Sequence, residues 1–469
     1  MIAEQAEAIR VLQEKVERLE RLVSRNSGNS SFPPSMDAQP GRKRPAPRKR
    51  GGSDGSRRQG KQPGAPGAYL AWRAAPDERV ALWPAGRCGC GTALERGQDL
   101  GVAASHQQVE IPLVTARVIQ YDRHAVRCGC GLVSAAGRPA GAGAAGTVTY
   151  GPNLQAWCVY LMSEHAIPVH RCADLIGSLA GAAPSAGFVH GMLGRAAAAV
   201  RPANAAIRAL VIASDVICCD ETPVRAGPGP GWRKRYLLVA ATARLTYYML
   251  GERSLASFCR FVLPDLAGVV VHDRYHAYSN PRLGELTHQL CCAHLLRDLQ
   301  DAAQTYPDAA WPAAISTALT GLIHAAATAR AQGLDAIPAT TAAPLRRAFA
   351  DGVTAGIAHL ATLPRGIRKN PRQPCRELLQ TLRDREDDVL RFTTNLAIPA
   401  TSNQAERDLR PAKTQDKISG RLRSPATTSH RYAIRGYTST ARKHDQNALT
   451  VLRDALLGHP WMPPVPDHI

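Results

Sequence analysis

The sequence predicts a mixed α/β core set among helical and extended segments, and three observations carry that prediction. Two apolar runs, Ile217-Cys218-Cys219 and Gly268-Val269-Val270-Val271-His272, each lead directly into an aspartate, Asp220 and Asp273. Between them lie two more strand-like runs, Arg235 to Thr242 and Leu245 to Leu250, and a stretch of helical spacing from Ser254 to Leu263. Far downstream, Asn403, Glu406 and Arg410 fall three and four apart, so one helix face carries all three.

The elements follow in chain order. Residues 1–25 repeat an apolar position every seven residues, with Ile2, Ile9, Val16 and Val23 on one position and Leu12 and Leu19 on the other. That is a short coiled-coil pattern favouring self-association; a lone amphipathic helix is the plainer alternative. Residues 26–68 are dense in Pro and Gly, and carry Arg42, Lys43, Arg44, Arg48, Lys49 and Arg50 with little to bury. Such a segment is expected to be a disordered linker or a phosphate-binding arm. Residues 69–135 alternate apolar and polar, as in Gln108 to Val114, which predicts short strands. Two Cys-Gly-Cys-Gly knuckles frame that segment, and Cys88, Cys90, Cys128 and Cys130 could supply four thiolates to one tetrahedral zinc. The alternative is a pair of glycine-rich turns with free cysteines, since paired ligands are usually two residues apart.

Residues 145–205 have helical spacing broken at Ala166-Ile167-Pro168, a helix-turn-helix pattern that plain helical hairpins share. The core is expected in two parts, 206–300 and 396–445, with an Ala- and Leu-rich helical insertion over 301–395 and a tail over 446–469.

Bulk properties narrow the function. The formal net charge of +20 points to a polyanionic partner, nucleic acid first, with an anionic membrane surface or a ribosomal role as the others. No run approaches the roughly 20 apolar residues that span a bilayer, and residues 1–25 lack an apolar signal core, so the protein is expected in the cytoplasm. Many of the twelve cysteines, such as Cys218, Cys219, Cys291 and Cys292, stand in apolar contexts, which suits reduced thiols.

Two strand-end carboxylates close in space repel unless a cation lies between them, and Mg²⁺ is satisfied by two or three acids with water completing its shell. Paired ions suit phosphodiester chemistry. The basic run Arg407, Lys413, Lys417, Arg421 and Arg423 around Glu406 fits an acid on metal and bases on DNA phosphates; a surface helix with ion pairs is the alternative.

Several motifs together resemble the insertion-sequence-66 family of transposases, Asp-Asp-Glu recombinases, over nearly the whole length. They are Asn26 to Asp37, Gln62-Pro63-Gly64, the two knuckles, Tyr150-Gly151-Pro152, Asp220-Glu221-Thr222, His272 to Tyr278, Cys292 to Arg297, and Asn403 to Pro411. The resemblance implies a ribonuclease H-like core in which Asp220, Asp273 and Glu406 hold two Mg²⁺ ions, Mn²⁺ being a possible substitute. It also implies DNA strand cleavage and joining at terminal inverted repeats, and a small zinc-binding domain at the knuckles. Double-stranded DNA would be the partner, contacted by Asn403, Arg407, Arg410, Lys413, Lys417 and the basic arm, with a homo-oligomer and accessory proteins encoded beside it. The chain would then be nucleoid-associated when bound. Arg274 stands where the family usually has glycine and Ala65 where the linker often has histidine, and the cysteine pairs are closer together than usual. The rival readings are a non-catalytic DNA-binding regulator, a metal-dependent nuclease that does not join strands, and a structural zinc protein on RNA.

Overall fold

A computed structural model of the protein describes Val16 and residues 70–94, 99–138, 148–227, 235–363 and 374–465. The heptad segment, apart from Val16, and the basic arm with Arg42, Lys43, Arg44, Arg48, Lys49 and Arg50 lie outside the described residues. The chain divides into two units, residues 49–115 and residues 1–48 with 116–469.

In the smaller unit the expected strand over Gln108–Val114 does not form. Val109, Ile111 and Leu113 belong to no strand and are exposed. Alternation makes a strand only where a second backbone takes the hydrogen bonds and a surface covers the apolar side. What the unit does hold is the first knuckle. Cys88 N–H donates to the Thr92 carbonyl and Gly91 N–H to the Cys88 carbonyl, each at 2.8 Å, and Gly91 takes a φ of +91° that favours glycine.

The larger unit repeats that turn. Cys128 N–H reaches the Leu132 carbonyl and Gly131 N–H the Cys128 carbonyl, again at 2.8 Å, with Gly131 at a φ of +91°. The turn closes a short antiparallel hairpin of β1 (Ala125–Arg127) and β2 (Val133–Ala135). Four helices follow: α1 (Pro152–Ser163), α2 (Val169–Ala180), α3 (Ala186–Ala199) and α4 (Arg201–Ile212). Proline opens α1 in its first turn, where no N–H is needed. The Ser185 hydroxyl caps α3 by accepting from Phe188 N–H at 3.2 Å.

The sheet has five strands: β3 (Val216–Val224), β4 (Arg235–Ala241), β5 (Thr246–Gly251), β6 (Val269–His272) and β7 (Thr287–Leu290). Their order is β5-β4-β3-β6-β7, with β3, β4 and β5 antiparallel and β3, β6 and β7 parallel. Asp220 is not at the end of its strand, as its apolar run had suggested. It pairs with Val239, and β3 continues to Val224 because β4 supplies hydrogen bonds along that length. Between β5 and β6 the helix is also shorter than expected. A single turn, α5 (Leu255–Phe258), is followed by a 3₁₀ turn at Leu263–Asp265.

Side-chain alternation splits the sheet between two cores. Cys218, Leu237, Val239, Val271 and Leu290 pack on one side, while Ile217, Cys219, Leu238, Ala240 and Val270 pack on the other with Phe258, Phe261 and Tyr278. The first side is covered by α6 (Cys292–Thr305) and by the helices that follow it, α7 (Trp311–Ala331), α8 (Ala339–Thr362), α9 (Pro374–Asp384) and α10 (Glu386–Leu390). It is also covered by Ala405, Leu409 and Ala412 of α11 (Asn403–Ser419), which packs on β3 and β4. A third core joins α1, α2 and α3 to α12 (Pro425–Lys443) and α13 (Ala448–Leu456). Among the described residues no helix is long and apolar enough to cross a membrane.

Candidate active site

Strand register brings two of the expected acids together. Cys218 on β3 pairs with Val271 on the parallel strand β6. Asp220 lies two residues beyond Cys218 and Asp273 two beyond Val271, so the acids hold equivalent places on strands about 4.8 Å apart. Their charges interact: Asp273 is among the groups that push the Asp220 carboxyl well above its ordinary value, after burial and the neighbouring Glu221, while His294 pulls the other way.

Glu406 is held from a different side. It sits in the first turn of α11, and its Oε1 is 3.3 Å from Arg297 Nη2 on α6. Backbone contacts fix that approach. Cys292 N–H donates to the Ala400 carbonyl at 2.9 Å, and Ser402 N–H reaches Cys291 Sγ at 3.3 Å, tying the start of α6 to the start of α11. His294 and Arg297 are one helical turn apart on α6, so the group acting on Asp220 and the group pairing Glu406 share a face. Lys413 on α11 also feels the charge of Asp220. Among the described residues, no three His, Cys, Asp or Glu side chains stand in a metal-coordinating group. Glu406 is engaged by an arginine, not by the two aspartates.

A fourth acid, Glu221, to which its motif assigns no role, belongs to the same place. The Glu221 side chain is 2% exposed, accepts from Arg253 Nε at 2.8 Å and from Tyr278 Oη at 3.0 Å, and shares Arg253 with Asp273 at 3.6 Å. Burial, then Asp273, push the Glu221 carboxyl up to about 7 against the pull of Arg253 and Tyr278. Arg253 lies over the Tyr275 ring, 3.8 Å from its centre. Asp220, Glu221 and Asp273 stand close enough for their charges to act on one another, with Arg253, His294 and Lys413 offsetting part of that charge. That donor chemistry suits a divalent cation with oxygen ligands.

Cys291 and His294 were also not singled out. Burial raises the Cys291 thiol, but His294 and Ser402 outweigh it and bring the value down to about 7. Burial likewise opposes charge on His294, and Cys291 outweighs it, lifting the imidazole to about 9. Arg274 forms an ion pair with Asp298 on α6.

A family model described as "Transposase IS66 family" matches residues 147–429, which contain both aspartates, Glu406 and most of the sheet-covering helices. The chain belongs to that family. A second model, for a family of unknown function (DUF6444), matches residues 3–71. No curated protein matches the chain. As an IS66-family transposase the protein acts on DNA.

The remaining expected DNA contacts of the transposase divide by position. Asn403, Arg410 and Lys417 are exposed on the Glu406 face of α11, and Lys413 is half-buried there. Arg407 lies about 100° round the helix from Glu406. It donates to Gln404 Oε1 at 2.6 Å. Each knuckle presents its thiols at the surface. Cys88 and Cys90 belong to the unit of residues 49–115, and Cys128 and Cys130 to the other. The Cys90 thiol is lowered to about 7 by Thr92, and Cys128 is lowered by Cys130.

Proposed function

We propose that this transposase cuts and joins DNA strands at the terminal inverted repeats of an insertion sequence, with Asp220, Asp273 and Glu406 as the metal-holding triad of a ribonuclease H-like core. The observation that carries the reading is the β3–β6 register, which puts Asp220 and Asp273 each two residues beyond the paired Cys218 and Val271. The antiparallel β3–β4–β5 meander followed by two parallel strands supports the core assignment. Two bound Mg²⁺ ions, or Mn²⁺ in their place, would supply activation of the attacking water or 3′-hydroxyl and stabilisation of the departing 3′-oxygen.

The chain's own residues have separate tasks. Asp220 and Asp273 offer carboxylate oxygens at the β3–β6 junction. Arg253 keeps Asp273 and Glu221 in place by partial charge balance. Arg297 orients Glu406 and would yield it to a cation. Asn403, Arg410, Lys413 and Lys417 hold phosphates along the same face of α11.

The test uses a duplex bearing the element's ends. Asp220→Ala should reduce Mg²⁺-dependent nicking and strand joining to background while DNA affinity stays within about threefold, a difference of under 1 kcal/mol. Wild-type joining by that variant sinks the assignment. A joining assay on pre-cleaved 3′ ends separates a transposase from a nuclease that only cuts.

The knuckle thiols Cys88, Cys90, Cys128 and Cys130 are proposed zinc ligands. Each turn's hydrogen bonding and the lowered Cys90 and Cys128 thiols support this. The heptad segment and the basic arm are proposed to serve self-association and DNA contact.

A further inference from the structure

A hollow of about 310 Å³ lies beside the catalytic face, enclosed by the turn after α1 and by α11 and α12. Its lining includes Arg407, Arg410, Arg431, Tyr432, Arg435 and Glu164. A second hollow of about 300 Å³ shares Arg407, Pro411 and Arg435 with it and adds Arg442 and Lys443, so the two follow one another along α11.

The charge in this groove is unbalanced. The Glu164 carboxylate is engaged by Arg435 and Arg442 and accepts from Thr438, and Asp408 is engaged by Lys443 at 2.9 Å. Arg431 is 6% exposed and its Nη1 donates to the Met162 carbonyl, with no carboxylate partner among the described residues. A buried guanidinium without a counter-ion is costly unless an anion completes it.

Three further donors make the same point. Arg431 Nε, Tyr432 Oη and Arg435 Nε are all buried, and none finds a hydrogen-bond partner among the described residues. All three belong to side chains that line the one hollow. Buried donors are almost always satisfied, so three unsatisfied together, shielded from solvent on side chains that line the hollow, mark groups that would gain partners by turning toward an acceptor seated in it. Arginines with a tyrosine hydroxyl suit the oxygens of a phosphate.

The helix geometry says where that phosphate belongs. Glu406, Arg410 and Lys413 share one face of α11, and Arg407, Thr414 and Ile418 line the hollow about a quarter-turn away. A DNA strand leaving the acids would pass Arg410 and meet Arg407 next. We infer that this hollow is a phosphodiester-binding site that grips the DNA backbone one step away from the cleaved linkage and sets its register on α11. The inference rests on the DNA-strand chemistry proposed above, but it concerns binding alone.

The experiment measures binding of the full chain to a fluorescent duplex by anisotropy, over a salt series and with divalent metal chelated. Tyr432→Phe deletes only the unpartnered hydroxyl. It should melt at or above the wild-type temperature, because a buried unsatisfied group is gone, yet bind DNA about tenfold more weakly. Arg407→Gln, at the exposed rim, should lower the slope of log affinity against log salt by about 1. Wild-type affinity in Tyr432→Phe together with an unchanged slope in Arg407→Gln overturns the inference. So does inorganic phosphate that stabilises the wild type but not Tyr432→Phe while DNA affinity is unaffected in both, which would mark a free-anion pocket. Chelation separates this outcome from the triad's. Weak binding by Tyr432→Phe in a protein that never joins strands would refute the metal reading and leave the groove standing.

Discussion

The thiol of Cys291 shows how far a single residue can be moved by what surrounds it. Alone, burial would hold it protonated; beside His294 and Ser402 it is brought from 9.0 down to about 7. His294 moves the opposite way, from 6.5 to about 9. The sign of the linkage follows from both. The thiolate's contribution to stability grows from pH 7 upward as Cys291 ionises in the fold. The imidazolium's contribution is complete below pH 6.5 and is lost as pH rises through 9. The pair is therefore populated between about pH 7 and 9. The difference in thiolate ultraviolet absorbance between wild type and Cys291→Ser should titrate with a midpoint near 7, and a midpoint near 9 would remove the pairing. Whether the pair also tunes Asp220, on which His294 acts, is read from the pH dependence of nicking in the same variant.

At the scale of the element, β6 is held in place by an unusually close backbone approach. A Cβ on Gly268 would lie 2.4 Å from the carbonyl oxygens of both Ser214 and Asp215, and Val269 N–H already donates to the Asp215 carbonyl at 2.7 Å. This is where β3 and β6 begin to pair, the strands that carry Asp220 within β3 and Asp273 just past the end of β6. Gly268→Ala has no flexible side chain to displace, only backbone. It should cost about 1–3 kcal/mol in a urea or guanidinium titration, and it should weaken strand joining by shifting Asp273. Unchanged stability would mean that the strand can slide without penalty. Helix α12 meets the sheet in a comparable way. Thr246 N–H donates to Thr440 Oγ1 at 3.0 Å, and Lys443 bridges the Thr242 and Leu245 carbonyls to Asp408. This fastening joins the α1–α3 helical core to the edge strand β5, next to the strands β3 and β4 on which α11 packs.

Across the whole molecule, charge is the dominant fact. A net +20 spread over 469 residues, with arginines gathered along α11 and α12, makes DNA binding an electrostatic event. With about 6–10 phosphates neutralised, affinity for duplex DNA should fall roughly a thousandfold or more between about 50 and 200 mM salt. A salt series by anisotropy measures this, and a nearly flat response would show that the basic surface does not engage the backbone.

The sequence determined by itself what each segment could become. The apolar runs before Asp220 and Asp273, the 3-and-4 spacing of Asn403, Glu406 and Arg410, and the proline breaks are all local patterns. Local period decides strand or helix because neighbouring residues alone set which side of the chain faces inward. Two local readings failed for the same reason. Gln108–Val114 alternates without a partner strand, and the run before Asp220 gave no sign that β4 would carry β3 on to Val224. Only the tertiary structure decided which distant groups meet. The β3–β6 register set Asp220 beside Asp273, and the docking of α6 on α11 gave Glu406 to Arg297. Folding also brought the Met162 carbonyl to Arg431, 269 residues away, to close a hollow that no window of sequence contains. Register and docking depend on surfaces that exist only after the chain has closed long loops, so no short-range pattern carries them.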